Sequence, residues 1–289
     1  MRELILFKKQ RELGDILTDT FKFIRLQGKD LFTLILKITG PALSILLLSY
    51  VYYMYATLGS FDNIFIEAAS FEGFATNVIV SILLMVFAMI VFYTLLHCTV
   101  LCYIQSYINN DGVVSEQEVR DGVKASFWSI LGSGVLVNIM VVIGFLFCGI
   151  PGFYLGVVLA STYSIIIFER RDTVNAIGYS FSLIRGEWWI TFATYLVMFI
   201  LFYVILIVFQ MPQYIYFFVK SFTISQEISA NPADFFDWIY VALTTIGMIA
   251  QYLLYTLIII TTCFVYFNLN EKKNYTGTIE AINSIGNRE

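Results

Sequence analysis

Residues 169–189 read ERRDTVNAIGYSFSLIRGEWW, a charged and amphipathic stretch between two long apolar runs. The preceding run, about 153–168, and the following one, about 189–210, contain no Asp, Glu, Lys or Arg. Each approaches the length that a helix needs to cross about 30 Å of hydrocarbon at about 1.5 Å per residue. The stretch is therefore predicted to be an amphipathic connection at the membrane surface between two spanning helices.

The composition of the whole chain agrees with lipid as its solvent. Of its 289 residues, 59% are hydrophobic, 17% aromatic and 13% charged, whereas about a quarter of the residues in soluble domains are charged. Runs such as 79–90 show no alternation of polar and apolar residues, which excludes a membrane β-barrel. The fold class expected is all-α, a polytopic bundle of transmembrane helices.

Six apolar runs set the predicted boundaries. We expect one integral membrane domain over residues 1–289, with a cytoplasmic amphipathic segment at 1–37, six spans within 38–268 and a cytoplasmic tail at 269–289. The spans are predicted at about 38–58, 77–108, 127–148, 153–168, 189–210 and 238–267. The second run is longer than a bilayer requires, so this helix is expected to tilt or to project into the cytoplasm.

The distribution of basic residues indicates the orientation. Sixteen of the seventeen Lys and Arg residues fall in segments on the amino-terminal side of the membrane, and only Lys220 falls opposite. The positive-inside rule then places both termini in the cytoplasm. Trp128, Trp188, Trp189 and Trp238 each stand at the start of a predicted span, as in the aromatic belts of membrane proteins.

The first thirty residues have the pattern of an amphipathic surface helix. An apolar stripe includes Leu13 and Ile16, while Lys22, Arg25 and Lys29 share a polar face. Basic residues on such a face favour an anionic leaflet. These three side chains are therefore candidate contacts for lipid phosphate or for a protein partner.

Three cytoplasmic segments, each before a pair of spans, look alike. They are DILTDTFKFIRLQGKDLFTLI at 15–35, EQEVRDGVKASFWSILG at 116–132 and DTVNAIGYSFSLIRGEWWITF at 172–192. This similarity suggests a three-fold repeat of a surface helix and a helix hairpin. The alternative is that an amphipathic helix followed by an apolar helix is simply a common pattern.

A stripe of small residues marks the fourth span. Gly152, Gly156 and Ala160 recur every four residues, which would let another helix approach closely. Chance in a glycine-tolerant membrane helix is the alternative.

Polar residues within the spans are few. His97, Asn138 and Gln251 are the candidate intramembrane polar site, and the predicted span cores contain no Asp, Glu, Lys or Arg. The alternative is that these side chains hydrogen bond across helices and only stabilise the bundle. Cys98 and Cys102 share one helix face, but His97 projects about 100° away from Cys98, so no metal is expected. We also expect no cofactor.

Residues 169–189 supply further candidate contacts for a ligand. Arg170, Arg171 and Arg185 have the planar guanidinium that suits phosphate, so a lipid headgroup or a partner is the predicted contact. The alternative is that these charges cap helix ends and pair with neighbouring carboxylates.

At the same residues a resemblance is visible. Glu169-Arg170, then Ala176, then SFSLIRG at 180–186 and Trp188-Trp189 resemble the corresponding loop of a bacterial six-span family. That family includes the membrane domain fused to glycerophosphoryl diester phosphodiesterases. The resemblance implies an all-helical, often accessory membrane domain with no established activity, and the diesterase chemistry belongs to a soluble domain that this chain does not match.

These patterns favour a non-enzymatic function. The expected protein is a scaffold or accessory subunit that organises anionic lipid or a protein partner at the cytoplasmic face, with no nucleic-acid partner. A transporter or export helper for an amphiphilic or lipid molecule is the alternative, and a lipid-headgroup enzyme is the third hypothesis. A polar cavity near His97 would favour transport, whereas an open pocket at Glu169 and its arginines would favour headgroup chemistry.

Overall fold

The structure is a computed structural model, and it describes residues 4–58, 70–147, 149–224 and 237–286. All regular structure in these residues is helical. The helices are α1 (Leu13–Leu58), α2 (Ser70–Asn109), α3 (Glu116–Leu146), α4 (Ile150–Leu159), α5 (Thr162–Glu169), α6 (Thr173–Leu183), α7 (Trp188–Ile224), α8 (Trp238–Asn274) and α9 (Thr276–Gly286). The all-α prediction is confirmed.

Within the described residues, six helical stretches are long and apolar enough to cross a membrane by length and composition. They are α1, α2, α3, the consecutive helices α4 and α5, α7 and α8. They agree in number and order with the six predicted runs and identify a multi-pass membrane protein. Asp62 and Glu67 of the predicted first loop, Cys148 and residues 225–236 lie outside the described residues.

Three boundaries differ from the predictions. The amino-terminal amphipathic segment is not a separate helix, because α1 continues from it through Pro41 into the first apolar run. Residues 29–39 contain neither Gly nor Pro, so nothing in that stretch ends the helix. Likewise residues 116–126 are the first turns of α3, and α7 continues through Pro212 to Ile224. Of the three predicted surface helices, only α6 is separate, and the repeat itself stays a prediction.

The chain forms two compact units, and α1, α2, α7 and α8 contribute to both. The first unit contains Met1–Ile38, Thr94–Leu201 and Thr256–Glu289, and the second contains Thr39–Tyr93 and Phe202–Tyr255. The helices α3 to α6 belong entirely to the first unit.

The second unit consists of segments of α1, α2, α7 and α8. Residues 39–57, 76–93, 202–219 and 238–255 each contain no Asp, Glu, Lys or Arg. A helix of this length spans about 27 Å at about 1.5 Å per residue, close to the thickness of a bilayer core. Within the unit the ring of Tyr93 contacts those of Tyr252 and Tyr255, with centroids 6.0 and 4.9 Å apart.

The first unit has an apolar core closed by buried polar contacts. The last turns of α2 and residues 257–269 of α8 are largely buried, together with Phe23 of α1. Phe7, in the irregular segment before α1, stacks on Phe264 with centroids 4.6 Å apart. The buried Arg11 lies over the same Phe264 ring at 4.7 Å and donates its Nε to Asp19 Oδ2 at 2.8 Å. The polar amino-terminal segment is thus part of the core.

The turn between α3 and α4 brings two helices unusually close. A Cβ atom at Gly152 would lie 2.5–2.7 Å from atoms of Phe145, including its backbone nitrogen. A Cβ atom at Gly156 would meet nothing within 4 Å. Only the first position of the small-residue stripe therefore serves this close approach.

This contrast makes a matched pair of substitutions. Gly152→Val is expected to destabilise the protein by about 1–3 kcal/mol, because the added methyl groups overpack a contact with rigid backbone. Gly156→Val has the same change in helix propensity and should leave stability near the wild-type value. Thermal unfolding in detergent measures both, and equal melting temperatures for the two variants would contradict the assignment.

Candidate functional site

The charged stretch after α5 begins with a sharp backbone turn. Arg170 lies in the left-handed region with φ 53°, and its side chain is exposed. Asp172 then caps α6, because its Oδ2 accepts from the backbone nitrogen of Asn175 at 3.3 Å. The hydrogen bonds from Asn175 hold the pKa of Asp172 below its ordinary value. The turn therefore fixes the position of Arg171 between them.

Glu169 joins this turn to α8. Its Oε2 accepts from Arg171 Nε at 2.7 Å, and its Oε1 accepts from the hydroxyl of Tyr266 at 3.0 Å. The guanidinium of Arg171 lies over the ring of Tyr179 at 3.9 Å, in cation–π contact. Because Arg171 makes no terminal-nitrogen hydrogen bond to the described residues, two of its nitrogens are available to a ligand.

Glu271 holds α9 against the end of α8. Its carboxylate is buried and accepts hydrogen bonds from Thr278 Oγ1 at 2.6 Å, Gly277 N at 2.7 Å and Thr278 N at 3.0 Å. The free N–H groups at a helix amino terminus favour such a carboxylate. Gly277 also lies against the backbone of Lys8, where a Cβ atom would overlap the Lys8 carbonyl. These contacts let Lys8 Nζ pair with Glu280 Oε1 at 2.5 Å.

The ion pairs Arg171–Glu169 and Lys8–Glu280 line an open cavity of about 510 Å³, which we call the polar groove. It is built from five parts of the first unit: the amino-terminal segment, the end of α2, the α5–α6 turn with α6, the end of α8, and α9. Its lining combines amide, aromatic and charged side chains: Lys8, Gln105, Ile108, Asn109, Phe168, Glu169, Arg171, Tyr179, Tyr266, Phe267, Asn270, Asn274, Thr276 and Glu280. Two cations and two carboxylates line it, so its formal charge is balanced.

The structure separates the three predicted arginines of the central stretch. Arg171 lines the polar groove, whereas Arg170 and Arg185 are exposed and are not among the lining residues. The pairing of Arg171 with Glu169 agrees with the alternative interpretation, in which these arginines pair with neighbouring carboxylates. The free nitrogens of the same side chain leave the ligand hypothesis open.

The basic face of α1 lies apart from the polar groove. Arg25 and Lys29 are exposed, and Lys22 is half-buried. None of the three lines the polar groove. Their contact with anionic lipid stays a prediction.

The predicted intramembrane polar residues have different surroundings in the structure. The ring of His97 packs against that of Tyr163 with centroids 4.6 Å apart. Asn138 is exposed, and its Nδ2 donates to the Gly134 carbonyl of its own helix at 2.7 Å. Gln251 belongs to the second unit. His97 and Asn138 do not line the polar groove.

The chemistry available in the described residues is limited. They contain no group of three or more His, Cys, Asp or Glu arranged to hold a metal ion. Cys98, Cys102 and Cys263 are buried as free thiols. The polar groove therefore offers hydrogen bonds, paired charges and aromatic faces for binding.

Comparison with family models, with curated proteins and with solved structures found no match. The resemblance to the six-span family accordingly stays an expectation from the residues quoted above.

Several lining residues were not predicted from the sequence. Lys8 and Glu280 are 272 positions apart and meet only because α9 folds back. Tyr266 lies in a run that reads as ordinary membrane helix. Glu169 was noted in the charged stretch, but its partner on α8 was not.

Proposed function

We propose that this chain is a non-enzymatic scaffold or accessory subunit of the bacterial inner membrane, with both termini cytoplasmic. Its polar groove holds a polypeptide segment of a partner protein. The observation that carries the proposal is the polar groove itself. Five parts of the first unit form it, and the terminal guanidinium nitrogens of Arg171 in its lining make no hydrogen bond to the described residues. The groove lies among the segments that hold nearly all the basic residues of the chain, which favours the cytoplasmic face.

The lining favours a peptide over a phosphate group. Phosphate sites concentrate donors and positive charge, commonly as arginine forks. Here each cation already has a carboxylate beside it, Lys8 with Glu280 and Arg171 with Glu169. A peptide presents both carbonyl acceptors and N–H donors, which suit a lining that mixes donors and acceptors. The exposed Arg171 and the half-buried Tyr179 belong to residue types that dominate protein interfaces.

The experiment is gentle purification followed by native mass spectrometry of bound proteins and lipids. Wild-type protein should retain one stoichiometric polypeptide. Arg171→Ala should reduce the retained fraction at least tenfold, because truncation of an interface arginine commonly costs about 2 kcal/mol. Its folding should change little, because the side chain of Arg171 is exposed and the partly buried Glu169 keeps its hydrogen bond from Tyr266.

Arg185→Ala is the matched control, because it removes an exposed arginine of the same stretch outside the groove. It should retain the partner at the wild-type level. Recovery of selectively bound lipid without a polypeptide would contradict the proposal, as would equal retention by the two variants.

A further inference from the structure

The hairpin formed by α3, α4 and α5 has the composition of two membrane spans, but its position in the first unit is unlike that of a crossing pair. All of it belongs to the first unit, together with α6. The second unit contains four helical segments without Asp, Glu, Lys or Arg, from α1, α2, α7 and α8, each close to the thickness of a bilayer core. The hairpin contributes nothing to it.

The tip of the hairpin is the turn from α3 to α4, and the contacts there show which residues surround it. Tyr154, four residues after the start of α4, stacks on Trp188 with ring centroids 5.8 Å apart. Trp188 follows directly after Glu187, whose Oε2 accepts from Lys272 Nζ at 2.8 Å. The neighbouring Lys273 donates to the hydroxyl and the carbonyl of Ser182 at 2.6 and 2.8 Å. The tip therefore lies beside charged residues at the end of α8.

The base of the hairpin lies beside charges as well. Glu116, at the start of α3, pairs with Lys37 at 2.8 Å, and Glu169, at the end of α5, pairs with Arg171. A hairpin that crossed the bilayer would place its tip about 30 Å from the charged face that holds its base. Tyr154 lies only about 6 Å along its helix from the turn. Its ring contact with Trp188 therefore places the tip near Glu187 and Lys272. A hairpin that crossed the bilayer would require these two charged residues to lie on the opposite face as well. Sorting of basic residues to one side of the membrane opposes that placement.

The tip nevertheless exposes large apolar side chains. Leu146, Phe147 and Ile150 have exposed fractions of 80%, 69% and 78%, and Trp189, next to Trp188, is 75% exposed. The exposed apolar surface continues along α7 at Ile190, Leu196, Phe199 and Ile200. Since α7 is itself a candidate span, this continuity identifies acyl chains as the material that covers the tip.

We propose that the α3–α5 hairpin is re-entrant: its tip enters the acyl chains of the leaflet next to Lys272 and returns to the same side. The bilayer is then crossed four times, by α1, α2, α7 and α8, and both termini still share one face. Exposed apolar residues beside tryptophans are the pattern of segments that lie in one leaflet.

The experiment attaches the fluorophore NBD to single cysteines in proteoliposomes and adds dithionite, which does not permeate, to one side. Cys148 is replaced by Ser, and the buried cysteines stay. Ile150→Cys reports the tip, Ser182→Cys reports the face near Lys273, and Ser221→Cys reports the end of α7. None of the three residues lines the polar groove, and Ile150 and Ser182 are exposed, so folding should be retained.

Ile150→Cys should be reduced from the side that reduces Ser182→Cys, with a blue-shifted emission that reports an apolar surrounding. Ser221→Cys should be reduced from the other side. Reduction of Ile150→Cys from the Ser221 side, or from neither side, would overturn the proposal, as would an emission typical of water.

Discussion

Arg11→Met is expected to reduce the free energy of unfolding by about 3–5 kcal/mol, the range for removing one partner of a buried ion pair. The side chain of Arg11 is fully buried and donates to Asp19, to the carbonyls of Phe7 and Lys9, and to the carbonyl of Leu6. Burial lowers the pKa of the guanidinium, and the hydrogen bond and charge of Asp19 oppose that shift. Methionine would fill part of the volume and leave the backbone carbonyls without this donor, while Asp19 would keep its pair with Lys9, at 3.3 Å.

The effect should be largest in the amino-terminal segment. Arg11 is buried in the core of the first unit, and its backbone nitrogen donates to Asn268 Oδ1 at 2.8 Å. Thermal unfolding in detergent measures the loss of stability, and protease cleavage within residues 4–12 measures the release of the segment. Arg25→Met changes an exposed arginine of α1 in the same way and should alter stability by less than about 0.5 kcal/mol. An Arg11→Met protein as stable as Arg25→Met would show that the buried network contributes nothing.

Glu271→Ala is expected to detach α9 from the end of α8. The substitution leaves the backbone N–H groups of Gly277 and Thr278 without their acceptor, and loss of such a helix cap costs about 0.5–2 kcal/mol. Loss of α9 also separates Lys8 from Glu280 and opens one wall of the polar groove. Hydrogen exchange of residues 276–286 should therefore accelerate strongly, while exchange in the uncharged segments of the second unit should not change.

Two control variants distinguish the cap from general damage. Glu271→Gln keeps one acceptor oxygen and should retain part of the protection of α9. Glu280→Gln removes only the pair with Lys8 and should leave α9 folded, because that pair is exposed. If α9 exchanged equally fast in Glu280→Gln and Glu271→Ala, the cap would not be what holds the helix.

Much of the fold was readable from local pattern. The absence of charge from six long runs predicts membrane helices, because a charge in hydrocarbon is costly whatever the tertiary structure. The turn at Gly149 and the cap at Asp172 follow from residue types that suit those positions. The length of α1 was not predicted, because an amphipathic pattern followed by an apolar one does not state whether the helix ends between them.

The candidate site was predicted only in part, for a related reason. Arg171 was named from its guanidinium, but Arg170 and Arg185, named on the same grounds, lie outside the groove. Which of three neighbouring arginines faces a cavity depends on one backbone turn, at Arg170, and on the ring of Tyr179.

By itself, then, the sequence determined the solvent of this protein, its helical class and the sorting of its charges, since each depends on the free energy of moving single residues between water and lipid. Only the tertiary structure decided that Arg11 and Glu271 are buried, that Lys8 meets Glu280, and that Tyr154 lies against Trp188. These contacts join segments far apart in the chain, and their stability comes from complementary neighbours, which no local pattern encodes.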